Sequence, residues 1–130
     1  MRKLLYLALL CLPLVTHAAD DEEEPLPDPV YYELSPSLVT NLTGGPKYIR
    51  CDVQLMVRGE ENKALLAKYA PALRHELFLL LAEQDGPTLR TPEGKEALRQ
   101  AAVAALRTLM EKETKQPLIE DLYFTSYYVR

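Results

Sequence analysis

The sequence predicts an α+β domain in which two long helices pack on one small antiparallel sheet. Three observations support this fold class: a period-two pattern at Lys47–Val57, two helical patterns within Leu65–Leu109, and an aromatic segment at Leu118–Val129. With a further strand near Val30, the predicted order is strand, strand, helix, helix, strand (β-β-α-α-β). A chain of 130 residues is suited to a single domain of this kind.

The composition is that of an ordinary globular protein, with 48% hydrophobic and 26% charged residues. This balance excludes disorder along the whole chain, a repetitive fibre and a polytopic membrane protein. The formal net charge is −4, which does not attract a polyanion. Nucleic acid is therefore not an expected partner.

The first 19 residues have the three parts of a secretory signal. Arg2-Lys3 is a basic start, Leu4–Val15 is an apolar run, and small residues follow at Ala18 and Ala19. We expect cleavage after Ala18. The apolar run is shorter than the about 20 residues of a membrane span and contains Pro13, but a short, uncleaved signal anchor is the alternative.

Residues 20–29 are predicted to form an extended linker between this signal and a folded domain at residues 30–130. Five consecutive acids, Asp20 to Glu24, repel one another, and the three prolines of Pro25–Pro29 stiffen the backbone. A solvated spacer is the expected role of this segment. The functional alternative is an acidic docking tail.

The first half of the domain is predicted to be extended. Val30–Leu34 is β-branched and aromatic, which is typical of a strand, and Leu38–Leu42 either continues it or forms a second short strand. After the turn at Gly44–Pro46, Lys47–Val57 alternates with a period of two, which indicates a half-buried antiparallel strand. The side chains on its apolar face are Ile49, Cys51, Val53, Leu55 and Val57.

Two helices are predicted next. Apolar residues recur every three to four positions from Leu65 to Leu81, with a kink or restart at Pro71, and Gln84–Pro87 ends this helix. Thr91-Pro92-Glu93 is a typical helix start, with an N-cap, a proline at the first position and an acid in the first turn. The expected buried stripe of the second helix is Leu98, Ala102, Ala105, Leu106 and Leu109.

The closing segment Leu118–Val129 carries aromatic and branched side chains at positions of both parities. A strand with two apolar faces is usually buried between neighbouring strands and layers. We therefore predict that this strand lies inside the sheet. The residues concerned are Tyr123, Phe124, Tyr127, Tyr128 and Val129.

No residue pattern in the sequence indicates catalysis or cofactor binding. His75 lies at the edge of a helical stripe, as boundary histidines commonly do, and the Cys51 thiol is predicted to be buried and inert. One histidine and one cysteine on separate elements do not form a metal site. Neither a phosphate-binding glycine loop nor a nucleophile elbow occurs. We therefore predict a non-enzymatic protein with no cofactor, no metal and no small-molecule substrate.

Tyrosines are concentrated on the predicted strands. A tyrosine suits a half-buried sheet, because its ring packs while its hydroxyl stays in water, and exposed tyrosines are also enriched at protein interfaces. Packing is the simpler interpretation for most of them. The candidate protein-interface residues are Tyr48, Tyr127 and Tyr128.

Two segments resemble the flagellar basal-body-associated FliL family. Thr91–Leu98 reads TPEGKEAL and Asp121–Val129 reads DLYFTSYYV. The family shows a TPEGKE helix start and a closing D-V-Y-F-T strand. The resemblance extends from about Tyr31 to Arg130, and Tyr48–Val57 lies where the family has an opening strand.

The resemblance implies a periplasmic, stomatin-type (SPFH) domain associated with the inner-membrane flagellar basal body. It implies homo-oligomeric rings that bind stator subunits of the MotA/MotB type and FliL-type siblings, and that support rotation and motility without catalysis. Family members usually carry a full transmembrane helix where this chain has the short run Leu4–Val15. The alternative is a soluble periplasmic binding or inhibitor module that uses the same fold for a non-flagellar partner.

Overall fold

The computed structural model describes residues 24–45 and 47–130. The predicted signal, with Ala18 and Ala19, and residues 20–23 of the linker lie outside the described residues. No helix in the described ranges is both long and apolar enough to cross a membrane. The elements are β1 (Pro29–Glu33), β2 (Leu38–Asn41), β3 (Tyr48–Arg58), α1 (Glu60–Ala82), α2 (Gly86–Leu89), α3 (Pro92–Thr114) and β4 (Asp121–Val129).

Strand β3 is the centre of an antiparallel sheet. β4 pairs with it from Ile49 to Met56, β1 pairs with its C-terminal part and β2 with its N-terminal part. Because both β1 and β2 overlap the stretch of β3 that pairs with β4, they lie in series along the opposite edge. The Leu34 amide donates to the Val53 carbonyl at 2.9 Å, which continues the ladder between them. The α+β class and the antiparallel sheet are confirmed.

The structure has two elements more than the predicted order. The segment left open at 38–42 forms the separate strand β2, and α2 is a single helical turn after α1. The Asp85 carboxylate caps α2 by accepting from the Thr88 amide at 3.0 Å, and Pro87 occupies its first turn. Gly86 and Pro87 predict a helix stop. Proline also suits the first turn of a helix, because the N–H that it lacks would have no partner within the helix there.

The helices cover one face of the sheet, called here the inner face. α1 passes through Pro71 as one helix, so the expected restart does not occur. On α3 the predicted stripe is confirmed at Leu98, Ala102 and Leu106, while Ala105 and Leu109 are only half-buried. A strict four-residue spacing makes Met110 the next buried position. The side chains that these helices bury in the common core are Leu66, Leu73, Leu77, Leu81, Leu98, Ala102, Leu106 and Met110.

β4 lies at an edge of the sheet, so the prediction of an interior strand is wrong. Among the described residues β4 pairs with β3 alone. Asp52 pairs with Ser126 but Val53 pairs with Phe124, which leaves Thr125 as a one-residue bulge. The bulge changes the parity of the alternation and brings the apolar residues on its two sides to the same face. Those inward residues are Leu122, Phe124, Tyr127 and Val129.

The junction between α2 and α3 depends on Gly94. The Thr91 hydroxyl accepts from the Gly94 amide at 3.0 Å and donates to the Thr88 carbonyl at 2.8 Å, which confirms the predicted N-cap. A Cβ atom placed on Gly94 would lie only 1.9 Å from the Thr88 carbonyl oxygen. No residue larger than glycine fits there without separating the two helices.

Gly94→Ala is expected to lower the free energy of unfolding by about 2 kcal/mol, because overpacking a closed contact usually costs ~1–3 kcal/mol. The higher helix propensity of alanine offsets only part of this. Urea denaturation measures the loss. Gly45→Ala is the matched control, since the nearest atom to its added Cβ is 4.0 Å away. Equal losses in the two variants would contradict a steric role for Gly94.

Candidate protein-binding surface

The face of the sheet opposite the helices, called here the outer face, has no described element packed on it. Alternate residues of β3 are 0–1% exposed on the inner face, whereas those between them are half-buried or exposed. The strand register places side chains of all four strands together on the outer face. These residues include Tyr31, Glu33, Val39, Asn41, Tyr48, Arg50, Asp52, Gln54, Met56, Arg58, Tyr123, Ser126 and Tyr128.

Two pairs of tyrosines form the apolar part of the outer face. The ring centroids of Tyr31 and Tyr123 are 6.3 Å apart, and those of Tyr48 and Tyr128 are 6.5 Å apart. The Arg130 guanidinium lies 4.8 Å from the Tyr128 ring centroid. Tyr31, Tyr123 and Tyr128 remain 48%, 39% and 40% exposed. Such rings, with their hydroxyls in water, are typical contact groups of protein interfaces.

Polar groups separate the two tyrosine pairs. The Asp52 carboxylate accepts a hydrogen bond from the Ser37 hydroxyl, and Gln54 and Arg50 lie on either side of it along β3. The Arg50 side chain is exposed and lies opposite Tyr128 in the register. A surface that mixes aromatic rings with an arginine, a carboxylate and uncharged polar groups has the composition of a non-obligate interface.

The structure brings together two of the three predicted interface residues. Tyr48 and Tyr128 are neighbours on the outer face, but Tyr127 lies on the inner side of β4. Its hydroxyl donates to the Leu89 carbonyl at 2.7 Å, and burial raises the pKa of Tyr127 to about 12. Tyr127 therefore connects β4 to α2, while a binding role for the three tyrosines stays a prediction.

The sequence candidates did not include the other large hydrophobic residues that the outer face exposes, Tyr31, Val39 and Tyr123. Val39 is 48% exposed. The alternation of β1, of β2 and of β3 could have identified which residues of each strand share a face, whereas the Thr125 bulge breaks this pattern in β4. It could not show that the faces of β1, β2 and β4 align with that of β3, because the register depends on tertiary pairing.

The residues considered for chemistry do not come together. Cys51 is fully buried on the inner face, and burial, with a smaller effect of the Asp52 charge, raises the pKa of its thiol to about 12. His75 is exposed on α1. Within residues 24–45 and 47–130, no group of three or more histidine, cysteine or carboxylate side chains is arranged to hold a metal ion.

The two segments that carry the sequence motifs contact each other. The Lys95 ammonium lies 4.8 Å from the Tyr127 ring centroid. Arg99 donates to Glu96 on its own helix and to Asp121 at the start of β4. The hydrogen bond from Arg99 lowers the pKa of the Glu96 carboxyl to about 2. The start of α3 and the closing strand β4 are therefore held together by direct side-chain contacts.

Comparison with known proteins gives a family match that includes both of these segments. A family model described as "Flagellar basal body-associated protein FliL" matches residues 31–129. The "Flagellar protein FliL" of Aquifex aeolicus (strain VF5) is 22% identical over 103 residues, which cover 78% of this chain and 62% of that relative. The chain thus spans less than two thirds of the relative's length. The family match runs from β1 to the end of β4 and includes the whole outer face.

Tyr127→Phe is expected to lower the free energy of unfolding by about 1 kcal/mol, because the Leu89 carbonyl loses a part-buried hydrogen bond. Tyr128→Phe is the matched control, since the Tyr128 hydroxyl makes no hydrogen bond within the part of the chain that the structure describes. Urea denaturation compares the two. A larger loss for Tyr128→Phe would show that Tyr127 is not the connecting residue.

The Cys51 thiol is expected to react with iodoacetamide at pH 8 at least about a hundredfold more slowly in the folded protein than in urea. The thiolate is the reactive form, and each unit by which the pKa is raised lowers the thiolate fraction about tenfold. Mass spectrometry of the Cys51 peptide measures labelling. Since the folded pKa lies above the unfolded value of 9.0, this thiol's contribution to stability is complete below pH 9 and falls as pH rises towards 12. Fast labelling of folded protein would contradict the burial.

Proposed function

Because the chain belongs to the FliL family of flagellar basal body-associated proteins, we propose that it acts at the flagellar motor by binding other proteins and not by catalysis. It oligomerises, binds stator subunits of the MotA/MotB type and supports rotation and motility. The family match over residues 31–129 is the observation that carries this proposal. The accompanying proposal for the fold is a stomatin-type (SPFH) domain.

We propose the outer face as the stator-binding surface. Tyr48 and Tyr128, with Arg130 against the second ring, provide two rigid aromatic groups and a cation in one place. Tyrosine and arginine are the residue types that most often dominate binding energy when a partner excludes water from them. The described helical residues offer no paired aromatic rings, since the exposed Phe78 has no aromatic partner and Tyr69, under the Lys68 ammonium, is half-buried.

The proposed location is the periplasm, at the inner-membrane basal body. Residue 24 leads into β1 at the end of the sheet formed by Pro29 and Arg58, where the Gly59 amide donates to the Asp28 carbonyl at 3.0 Å. We call this the near end, because the predicted signal or anchor joins the domain here. The far end, at Tyr48 and Arg130, lies about 30 Å away along β3 at ~3.3 Å per residue. An uncleaved anchor would therefore place the second tyrosine pair at the end of the domain away from the membrane.

Cross-linking in motile cells, followed by mass spectrometry of the attached proteins, tests the proposal. We expect stator subunits among the products, and we expect the double variant Tyr48→Ala/Tyr128→Ala to reduce their yield at least about fivefold and to impair swimming, since losing interface anchors costs more than ~1 kcal/mol. Protein levels should not change.

Phe78→Ala is the matched control, because Phe78 is a similarly exposed aromatic residue (38%) on the helical face. It should leave both the cross-links and swimming intact. Equal losses in the control would remove the outer face from the proposal. Recovery of neither stator subunits nor a FliL-type sibling from the wild type would overturn the flagellar role itself.

A further inference from the structure

The free edge of β4 forms one wall of a groove at the far end of the domain. The other wall is the start of α3. A separate groove near Asp121 has a volume of about 540 Å³. The groove at the far end, called here the edge groove, has a volume of about 500 Å³. Its lining contains two cations and no carboxylate: Leu89, Arg90, Thr91, Pro92, Lys95, Tyr127, Tyr128 and Val129.

The backbone of β4 has unused pairing capacity in this groove. Tyr48 and Arg130 exchange both backbone hydrogen bonds, at 2.8 and 3.0 Å. In an antiparallel ladder such pairs alternate with pairs that exchange none, so the N–H and C=O groups of Tyr127 and Val129 point away from β3 towards the edge groove. The Arg90 guanidinium donates a long hydrogen bond of 3.5 Å to the Val129 carbonyl oxygen. The other three outward groups, the N–H of each residue and the Tyr127 carbonyl, have no hydrogen-bond partner within the described residues. A strand edge with free groups of this kind is a template for another strand.

The cations around this edge are not neutralised by neighbouring acids. Arg90 and Lys95 flank the inner side of β4, and Arg130 flanks its outer side. None of the three forms a salt bridge within the described residues, where the ion pairs involve Arg58 and Arg99. Towards the near end, Arg99 is already paired with Glu96 and Asp121. The uncompensated positive charge is therefore confined to the last part of β4.

From this edge and its charges, we propose that the edge groove binds an extended acidic segment of a partner protein, which adds to β4 as a fifth strand. Alternate side chains of an added strand point to opposite faces. Carboxylates on one side would meet Arg90 and Lys95, and those on the other side would meet Arg130. This refines the proposed function, on which it rests, by naming the chemistry of one partner segment.

Two other occupants fit less well. A second copy meeting this edge with its own β4 would bring like charges together, which opposes association. Glu24, the described residue of the acidic run, does not reach the groove of its own chain. Pro27 lies against Gly59 at the near end, and the three residues back to Glu24 extend at most about 11 Å, whereas β3 separates the ends by about 30 Å.

The test uses the purified full chain and a fluorescein-labelled heptapeptide of alternating glutamate and valine, with fluorescence anisotropy as the readout. We expect binding that weakens with added salt. Lys95→Glu and, separately, Arg90→Glu should each weaken it about fivefold or more. Hydrogen exchange at the amides of Tyr127 and Val129 should slow on binding, which a purely electrostatic association would not cause.

Lys68→Glu is the matched control, because the Lys68 ammonium also lies over a tyrosine ring, 5.4 Å from that of Tyr69 on α1. It should bind the peptide like the wild type. Absence of binding, equal binding of a lysine–valine peptide, or no amide protection would overturn the inference and leave stator binding on the outer face untouched. Preferential binding of a peptide of residues 20–28 would make a second copy the occupant and overturn the assignment to a separate partner.

Discussion

Burial of the inner face of β3 is the constraint on which the rest of the structure depends. Five alternate side chains of this strand are 0–1% exposed, and each buried aliphatic group of this size contributes ~1.5–3 kcal/mol. To exclude water from them, α1 lies across β1, β2 and β3, and α3 lies beside α1 against β4. β1, β2 and β4 then complete its two edges, so every element takes its position from β3.

A core of this design covers only one side of a thin sheet, and that has functional consequences. Two helices are enough for the inner face, which leaves the outer face and the β4 edge open to solvent. The open regions are not uniform: the outer face presents paired tyrosines, whereas the edge groove presents unpaired cations beside free backbone groups. The two chemically different surfaces meet at the far end, where Tyr128 belongs to both.

The FliL-like motifs have a structural explanation in this arrangement. Gly94 permits α2 to touch α3, Thr91 caps the helix, and Arg99 joins the helix to Asp121 at the start of β4. The motif residues thus hold α3 against the strand whose outward side chains and free edge form the proposed binding surfaces. Other motif residues line the proposed surfaces themselves, with Lys95 in the edge groove and Tyr128 both in that groove and on the outer face.

Local patterns were sufficient to predict the α+β class, the long strand, both long helices, the α3 cap and the buried Cys51, because each depends on periodicity or on residues a few positions apart. Tertiary pairing decided the rest. The bulge at Thr125 reverses the parity of β4, so no single strand pattern could show that its aromatic residues divide between a core face and an outer face. β4 becomes an edge strand only through its pairing with β3. The groove with Arg90 and Lys95 likewise forms only once α3 has docked beside that edge.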